Sequence, residues 1–294
     1  SIKLLGVLLT FFSVAMLPPL VIELYYQDGN VAPFLYTFAI ILIMGLALWL
    51  PTKEVRGEPR NRDGFLVVVL FWLSLSLVAA LPLMFSERPA MNFTDAVFEA
   101  TSGLTTTGAT VLTGLDKLPH SILFYRAELH LLGGMGVVVL AVAILPMLGI
   151  GGMQLYRAET PGPMKDEKMT PRIAETAKQL WLIYLLLNVL CCLAFWAAGM
   201  TFFDAVAHAF ATVATGGFST HDASLGFYDS AAIEIVCGFF SLVGGINFAL
   251  IYLAWRARSL RIFARDSEFK FFLLVYVLLI ALVSGTLYVL KFDW

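Results

Sequence analysis

Two short stretches carry residues whose chemistry differs from that of the chain around them: TTTGAT at 105–110 and TGGFST at 215–220. Both are crowded with threonine hydroxyls and glycine. Hydroxyls, and carbonyls released from helix pairing, are oxygen donors that can replace the water around a cation. Glycine permits backbone conformations that a Cβ obstructs, which is what a closely lined oxygen path requires. The stretches sit 109 residues apart, and the relationship extends to their surroundings. Residues 92–110 lie over 201–219 without gaps, with identities at Phe93/Phe202, Asp95/Asp204, Ala96/Ala205, Val97/Val206, Ala100/Ala209, Thr106/Thr215 and Gly108/Gly217. Trp72 falls on Trp181 at the same shift, and LGGMG at 132–136 meets VGGIN at 243–247 two residues later. One register held over that length marks an internal repeat.

The elements that must position these stretches are membrane helices. The chain is 60% hydrophobic and 14% charged, with a mean hydropathy of +0.85. Runs near 4–24, 33–50, 65–85, 122–148, 180–200, 231–255 and 271–291 are each long enough to cross a hydrocarbon core of about 30 Å. The run at 4–24 lacks a small-residue cleavage site, so it reads as a span and not a leader. Two apolar segments, 94–104 and 203–213, are shorter: a helix of that length rises only about 16 Å, half the membrane. Each runs directly into one of the Thr/Gly stretches.

Charge supports the same arrangement. Loops 51–64, 152–179 and 256–270 hold 14 of the 19 basic residues. Basic excess marks the cytoplasmic face, so the N-terminus is expected inside. All three loops share one face only if 94–104 and 203–213 enter and leave on the same side. Each repeat therefore reads as span, re-entrant helix, polar turn, span. Non-helical backbone at membrane depth is tolerated where it is buried in protein or lines a water-filled path. The expected fold class is an all-α polytopic membrane protein with repeated span, re-entrant helix, turn, span units, incomplete at the C-terminus.

Within each unit, Asp95 and Asp204 begin the short helices, where a carboxylate caps favourably. The helices' negative C-terminal ends aim at the membrane middle. Gly108 and Gly217 supply the permissive backbone of the two turns, and Thr106, Thr107 and Thr215 add hydroxyl oxygens. Small polar residues also serve in helix packing, the competing reading for Thr105 to Thr107. Gly133-Gly134 and Gly244-Gly245 read as close-packing sites or as hinges. Glu99 and His208 occupy one slot of the repeat, for ion contact or for hydrogen bonding behind the turn. Arg126, Glu128 and His130 read as a polar collar. Asp116, Asp222 and Asp229 either concentrate cations or are solvated loop charges. Cys191, Cys192 and Cys237 read as small hydrophobes; His120, His130, His208 and His221 lack metal-ligand spacing.

These residues resemble a known family. The Thr/Gly turns in SGLTTTGAT and TGGFST, with GIGGMQLYRAETPGP at 149–163 and PRIAETAK at 171–178, are similar to those of the Trk/Ktr/HKT superfamily of cation transporters, whose repeated units are of potassium-channel type, and most to the membrane subunit of bacterial Trk systems, the TrkH family. The resemblance implies four units around one pore, an ion-binding selectivity filter formed by Thr106, Thr107, Gly108 and Ala109 in the first turn and Thr215, Gly216, Gly217 and Phe218 in the second, potassium as the transported ion at Thr106, Thr107, Thr215 and Gly216, a homodimer in the bacterial inner membrane, and a cytosolic regulatory subunit that binds NAD or ATP near the basic loops. By the repeat, a third unit would place its aspartate past Trp294, so the chain is expected to belong to a longer polypeptide.

The domain reading is an N-terminal helix pair at 1–64, a first pore unit at 65–155, a cytoplasmic loop at 156–178, a second pore unit at 179–258, and a loop with the first span of a third unit at 259–294. A net charge of −2 offers no basic surface for nucleic acid. No paired acid, HExxH or nucleophile–base set points to an enzyme. The expected activity is passive potassium movement, with some sodium, through backbone carbonyls in a lipid bilayer. The alternative is an alternating-access symporter coupled to protons or sodium, for which Glu99, His130 and His208 are the titratable candidates.

Overall fold

The computed structural model describes residues 2–52, 61–148 and 170–290, and among them there are helices and turns but no strand. Residues 53–60 and 149–169, with most of the expected cytoplasmic segment, lie outside the described residues.

Helices α1 (Ile2–Ser13) and α2 (Leu17–Tyr26) form one span interrupted by a 3-10 turn at Val14–Met16, just before Pro18 and Pro19. Proline has no N–H to continue the ladder and is accepted in a first helical turn. Helix α3 (Val31–Trp49) packs along α1 at a glycine crossing: a Cβ on Gly6 would lie 2.7 Å from the Trp49 nitrogen and one on Gly45 2.7 Å from the Thr10 nitrogen. The pair is fastened to the rest through a buried acid. Glu23 accepts the Asn30 N–H at 2.7 Å and the Ser121 hydroxyl at 2.8 Å, while Asp28 accepts the His120 N–H at 2.6 Å.

The first unit comprises α4 (Asn61–Ala79), α5 (Leu81–Phe85), the short α6 (Phe93–Leu104) and α7 (His120–Leu148). The second comprises α8 (Thr170–Ala197), the short α9 (Phe202–Val213), α10 (Ala231–Gly244) and α11 (Phe248–Ala257). Helices α12 (Arg261–Arg265) and α13 (Ser267–Val289) follow. Apolar side chains gather into two clusters. One joins the first unit to the N-terminal pair around Met16, Phe34, Leu83, Leu104 and Tyr125; the other fills the second unit around Cys191, Phe195, Met200 and Val213. Among the described residues, four stretches (Leu5–Tyr26, Val31–Thr52, Lys178–Ala197 and Ser267–Val289) are long and apolar enough to cross a membrane.

Two expected spans are broken. Residues 65–85 divide at Ala80, where Pro82 opens α5. Residues 231–255 divide after Gly244, with Gly245 as the C-cap of α10 and α11 starting at Phe248. The Gly-Gly pair accounts for the second break and also serves close packing. A Cβ on Gly244 would run into the Val213 carbonyl oxygen, and one on Gly133 into that of Leu104. Leu104 and Val213 are repeat partners, each the last residue of its short helix. In both units, glycine in the following span thus receives the end of the short helix.

Candidate functional site

The two short helices are built alike from their first residue. Asn92 caps α6 by accepting the Asp95 N–H, and Thr201 caps α9 by accepting the Asp204 N–H. The aspartates, expected at the helix start, stand three residues further in and bond back to the caps: Asn92 Nδ2 donates to Asp95 at 2.7 Å, and the Thr201 hydroxyl to Asp204 at 2.7 Å. The arrangement differs from a capping box in that the N3 aspartate accepts from the side chain of the cap and not from its backbone N–H. Asp204 also accepts the Thr220 hydroxyl at 2.7 Å, tying the helix start to the end of its own turn.

The helix ends match more closely still. The Thr106 N–H reaches the Gly103 carbonyl (3.1 Å) and the Thr107 N–H that of Ser102 (2.9 Å); in the second unit Thr215 reaches Thr212 (3.0 Å) and Gly216 reaches Ala211 (2.7 Å). These pairs form the Schellman closure, in which the residue after the C-cap is left-handed and is usually glycine. Here that residue is Thr106 in one turn and Thr215 in the other, both with φ of 52°. A β-branched residue in this region is an outlier, at a cost of about 1–2 kcal/mol, and strain of this kind concentrates at functional sites. Two residues on, Gly108 and Gly217 again take positive φ, 77° and 91°, while Thr107 and Gly216 between them do not. In a strand successive residues face opposite sides; reversing the sign of φ at every second residue turns their carbonyls toward one side.

The two turns meet. A Cβ on Gly108 would run into the Gly216 carbonyl oxygen, and one on Gly103 would lie 3.3 Å from the Phe218 ring. Thr107, Ala109, Thr215 and Gly217 are exposed, whereas Gly216 and Phe218 are buried. The Phe218 side chain therefore points away from the open side of its turn. Its ring stacks on His130 at 4.2 Å and carries the Arg126 guanidinium 4.3 Å from its centroid. Gly216 leaves room for the same imidazole, which a Cβ there would strike.

Behind the turns, the repeat slot shared by Glu99 and His208 has one geometric job. Glu99 accepts the Thr110 hydroxyl at 2.8 Å and the Val111 N–H at 3.1 Å, and His208 Nε2 lies 3.0 Å from the Ser219 hydroxyl. Thr110 and Ser219 are repeat partners, so each short helix holds the last part of its own turn through this slot. His208 Nδ1 lies 2.8 Å from the Asp204 carbonyl. Of the expected collar, Arg126 binds Glu99, with Nε 2.8 Å from Oε1 and both side chains buried. The pairing of Glu99 with Arg126 was not anticipated; two opposite charges at membrane depth were the available signal.

The loops that follow the two turns are linked as well. His221 contacts the Asp116 carboxylate, and Asp222 accepts the Leu115 N–H at 3.1 Å. The hydrogen bond from His221 holds the Asp116 carboxyl below its usual range. Asp116 and Asp222 thus join the loops that follow the two turns, while Asp229 is exposed at the end of a 3-10 turn. No cluster of potential metal-ligating side chains occurs among the described residues.

Comparison with known proteins covers nearly the whole chain. A profile of the TrkH family, described as a cation transport protein, matches residues 31–293. The Trk system potassium uptake protein TrkH of Escherichia coli K12 is 54% identical over 286 residues, 97% of this chain and 59% of that protein. The Trk system potassium uptake protein TrkG of the same organism is 44% identical over 279 residues, 95% of this chain and 58% of that protein. The crystal structure of the potassium transporter TrkH from Vibrio parahaemolyticus superimposes with a TM-score of 0.80 at 48% identity, covering 94% of this chain and 56% of the other. The chain thus spans a little under three-fifths of the relatives it matches.

Proposed function

The chain belongs to the TrkH family of cation transport proteins, and on that footing we propose that it forms part of a potassium-uptake pathway, its two turns supplying adjoining walls of a selectivity filter. The observation that carries this reading is the paired backbone: Thr106 and Thr215 left-handed, Gly108 and Gly217 left-handed two residues later, and Gly108 pressed against the Gly216 carbonyl. Potassium sheds its water onto the carbonyls of Thr106, Thr107, Thr215 and Gly216 and moves down its electrochemical gradient, with sodium admitted less readily. No bond is made or broken. The remaining walls come from further units, as the four-unit architecture of the family implies.

Alternating access has little to work with. Glu99 is committed to Arg126, Thr110 and Val111, His208 to Asp204 and Ser219, and His130 is buried against the Phe218 ring. Passive, filter-limited movement is the better account of this constellation.

The protein sits in the bacterial inner membrane with its N-terminus in the cytoplasm, working as a homodimer. A cytosolic regulatory subunit that binds NAD or ATP docks on the cytoplasmic face. The described part of that face presents Arg256, Arg258, Arg261, Arg265 and Lys270, all exposed. The intact transporter should restore growth at low potassium to cells lacking their own uptake systems, and should carry rubidium. Growth restored without rubidium uptake, or no restoration from a correctly inserted protein, would contradict the proposal.

A further inference from the structure

We propose that Arg126 is a filter-positioning residue: from α7 it clamps the first turn, through Glu99 and Thr110, to the second, through the Ser219 carbonyl and the Phe218 ring, and so fixes the spacing on which cation discrimination depends. The inference rests on the filter reading above. Its basis is the number of contacts one guanidinium makes across two segments distant in sequence. Nε donates to Glu99 Oε1 at 2.8 Å, Nη2 to the Thr110 hydroxyl at 3.1 Å and Nη1 to the Ser219 carbonyl at 3.2 Å, with Phe218 beneath it at 4.3 Å. Arg126 is 1% exposed and Glu99 fully buried.

A buried ion pair is a poor device for stability alone, since taking two charges out of water offsets what their attraction returns. It does fix direction, because a guanidinium fork donates to its partners within a rigid plane. The repeat sharpens the point. Glu99 is replaced by His208 in the second unit, and the positions matching Arg126 at the two observed shifts are Ile235 and Cys237. The second unit holds its turn with a His208–Ser219 contact and, among the described residues, no arginine stands in the corresponding place. A lone guanidinium beside a cation path would repel the ion; Glu99 cancels that charge while transmitting its geometry.

The test measures rubidium and sodium uptake by the intact transporter in uptake-deficient cells. Arg126→Lys keeps the charge and loses the fork. It is expected to insert at near-parental levels and to lower the rubidium-over-sodium preference by about tenfold, the scale on which groups behind a ligand act. Glu99→Gln keeps the shape and bares the charge, so it should raise the half-saturating rubidium concentration more than it lowers the maximal rate. Gly108→Ser, run in parallel, reports on the filter itself. If Gly108→Ser alters the preference and Arg126→Lys does not, the clamp is wrong and the filter reading stands. If neither alters it, both fall. Should Arg126→Lys fail to insert, the neutral pair Arg126→Met with Glu99→Leu removes the clamp without baring a charge. Parental discrimination in that pair would overturn the proposal, and lost discrimination would support it.

Discussion

Gly108 and Gly216 lie so close across the junction of the two turns that a Cβ on the first would run into the carbonyl oxygen of the second. The obstructing atom is backbone and cannot rotate aside. Gly108→Ala therefore carries the left-handed penalty of about 1–2 kcal/mol and also forces the turns apart. We expect reduced rubidium uptake and a smaller rubidium-over-sodium ratio, from a protein that still inserts.

The glycines that receive the short helices should behave as a matched pair. Gly133→Ala and Gly244→Ala each push against a carbonyl at the end of a short helix, an overpacking worth about 1–3 kcal/mol. Both should lower the melting temperature in detergent. Gly285→Ala, where a Cβ meets nothing within 4 Å, should leave it unchanged or raise it, since alanine is the better helix former.

The two aspartates of the caps should separate. Asp204 accepts from both Thr201 and Thr220, whereas the Asp95 side chain accepts from Asn92 at an exposed position. Asp204→Asn unsettles a buried hydrogen bond to the second turn, a loss of about 1–3 kcal/mol, and should lower the melting temperature clearly more than Asp95→Asn. Equal effects would show that the Thr220 contact contributes nothing.

Late in an acid titration, the loops that follow the two turns should loosen. The Asp116 carboxyl is held below its usual range by its hydrogen bond from His221. Its contribution is present above the unfolded pKa, about 3.9, and is lost as pH falls through the lower folded value. Asp116→Asn should thus melt slightly below the parent at neutral pH, and the difference should disappear only once pH drops well below about 4.

Much of this arrangement was legible in the sequence because it rests on patterns that length and periodicity express. Two apolar segments too short to cross a membrane, each ending in Thr/Gly, placed the short helices within a residue of Phe93–Leu104 and Phe202–Val213. Capping positions were less accessible. Asp95 and Asp204 stand out because they repeat, yet the caps are Asn92 and Thr201, which differ between units and share only an oxygen that can accept. The break after Gly244 was hidden because hydropathy is blind to a bend between two apolar helices. The Arg126–Glu99 contact joins residues 27 apart on separate helices, and only the packing of α6 against α7 makes them neighbours. Likewise Phe218, expected on the lining of its turn, is buried against Arg126 and His130. Nothing in a one-dimensional pattern indicates toward which side a turn residue points.

The central claim is that Gly108 and Gly217 stand in a cation filter. The most direct measurement is the ratio of rubidium to sodium uptake by the intact transporter carrying Gly108→Ser or Gly217→Ser, each compared with the parent at equal membrane abundance. The account predicts a lower ratio in both variants, with sodium gaining relative to rubidium. Parental ratios in both would contradict it.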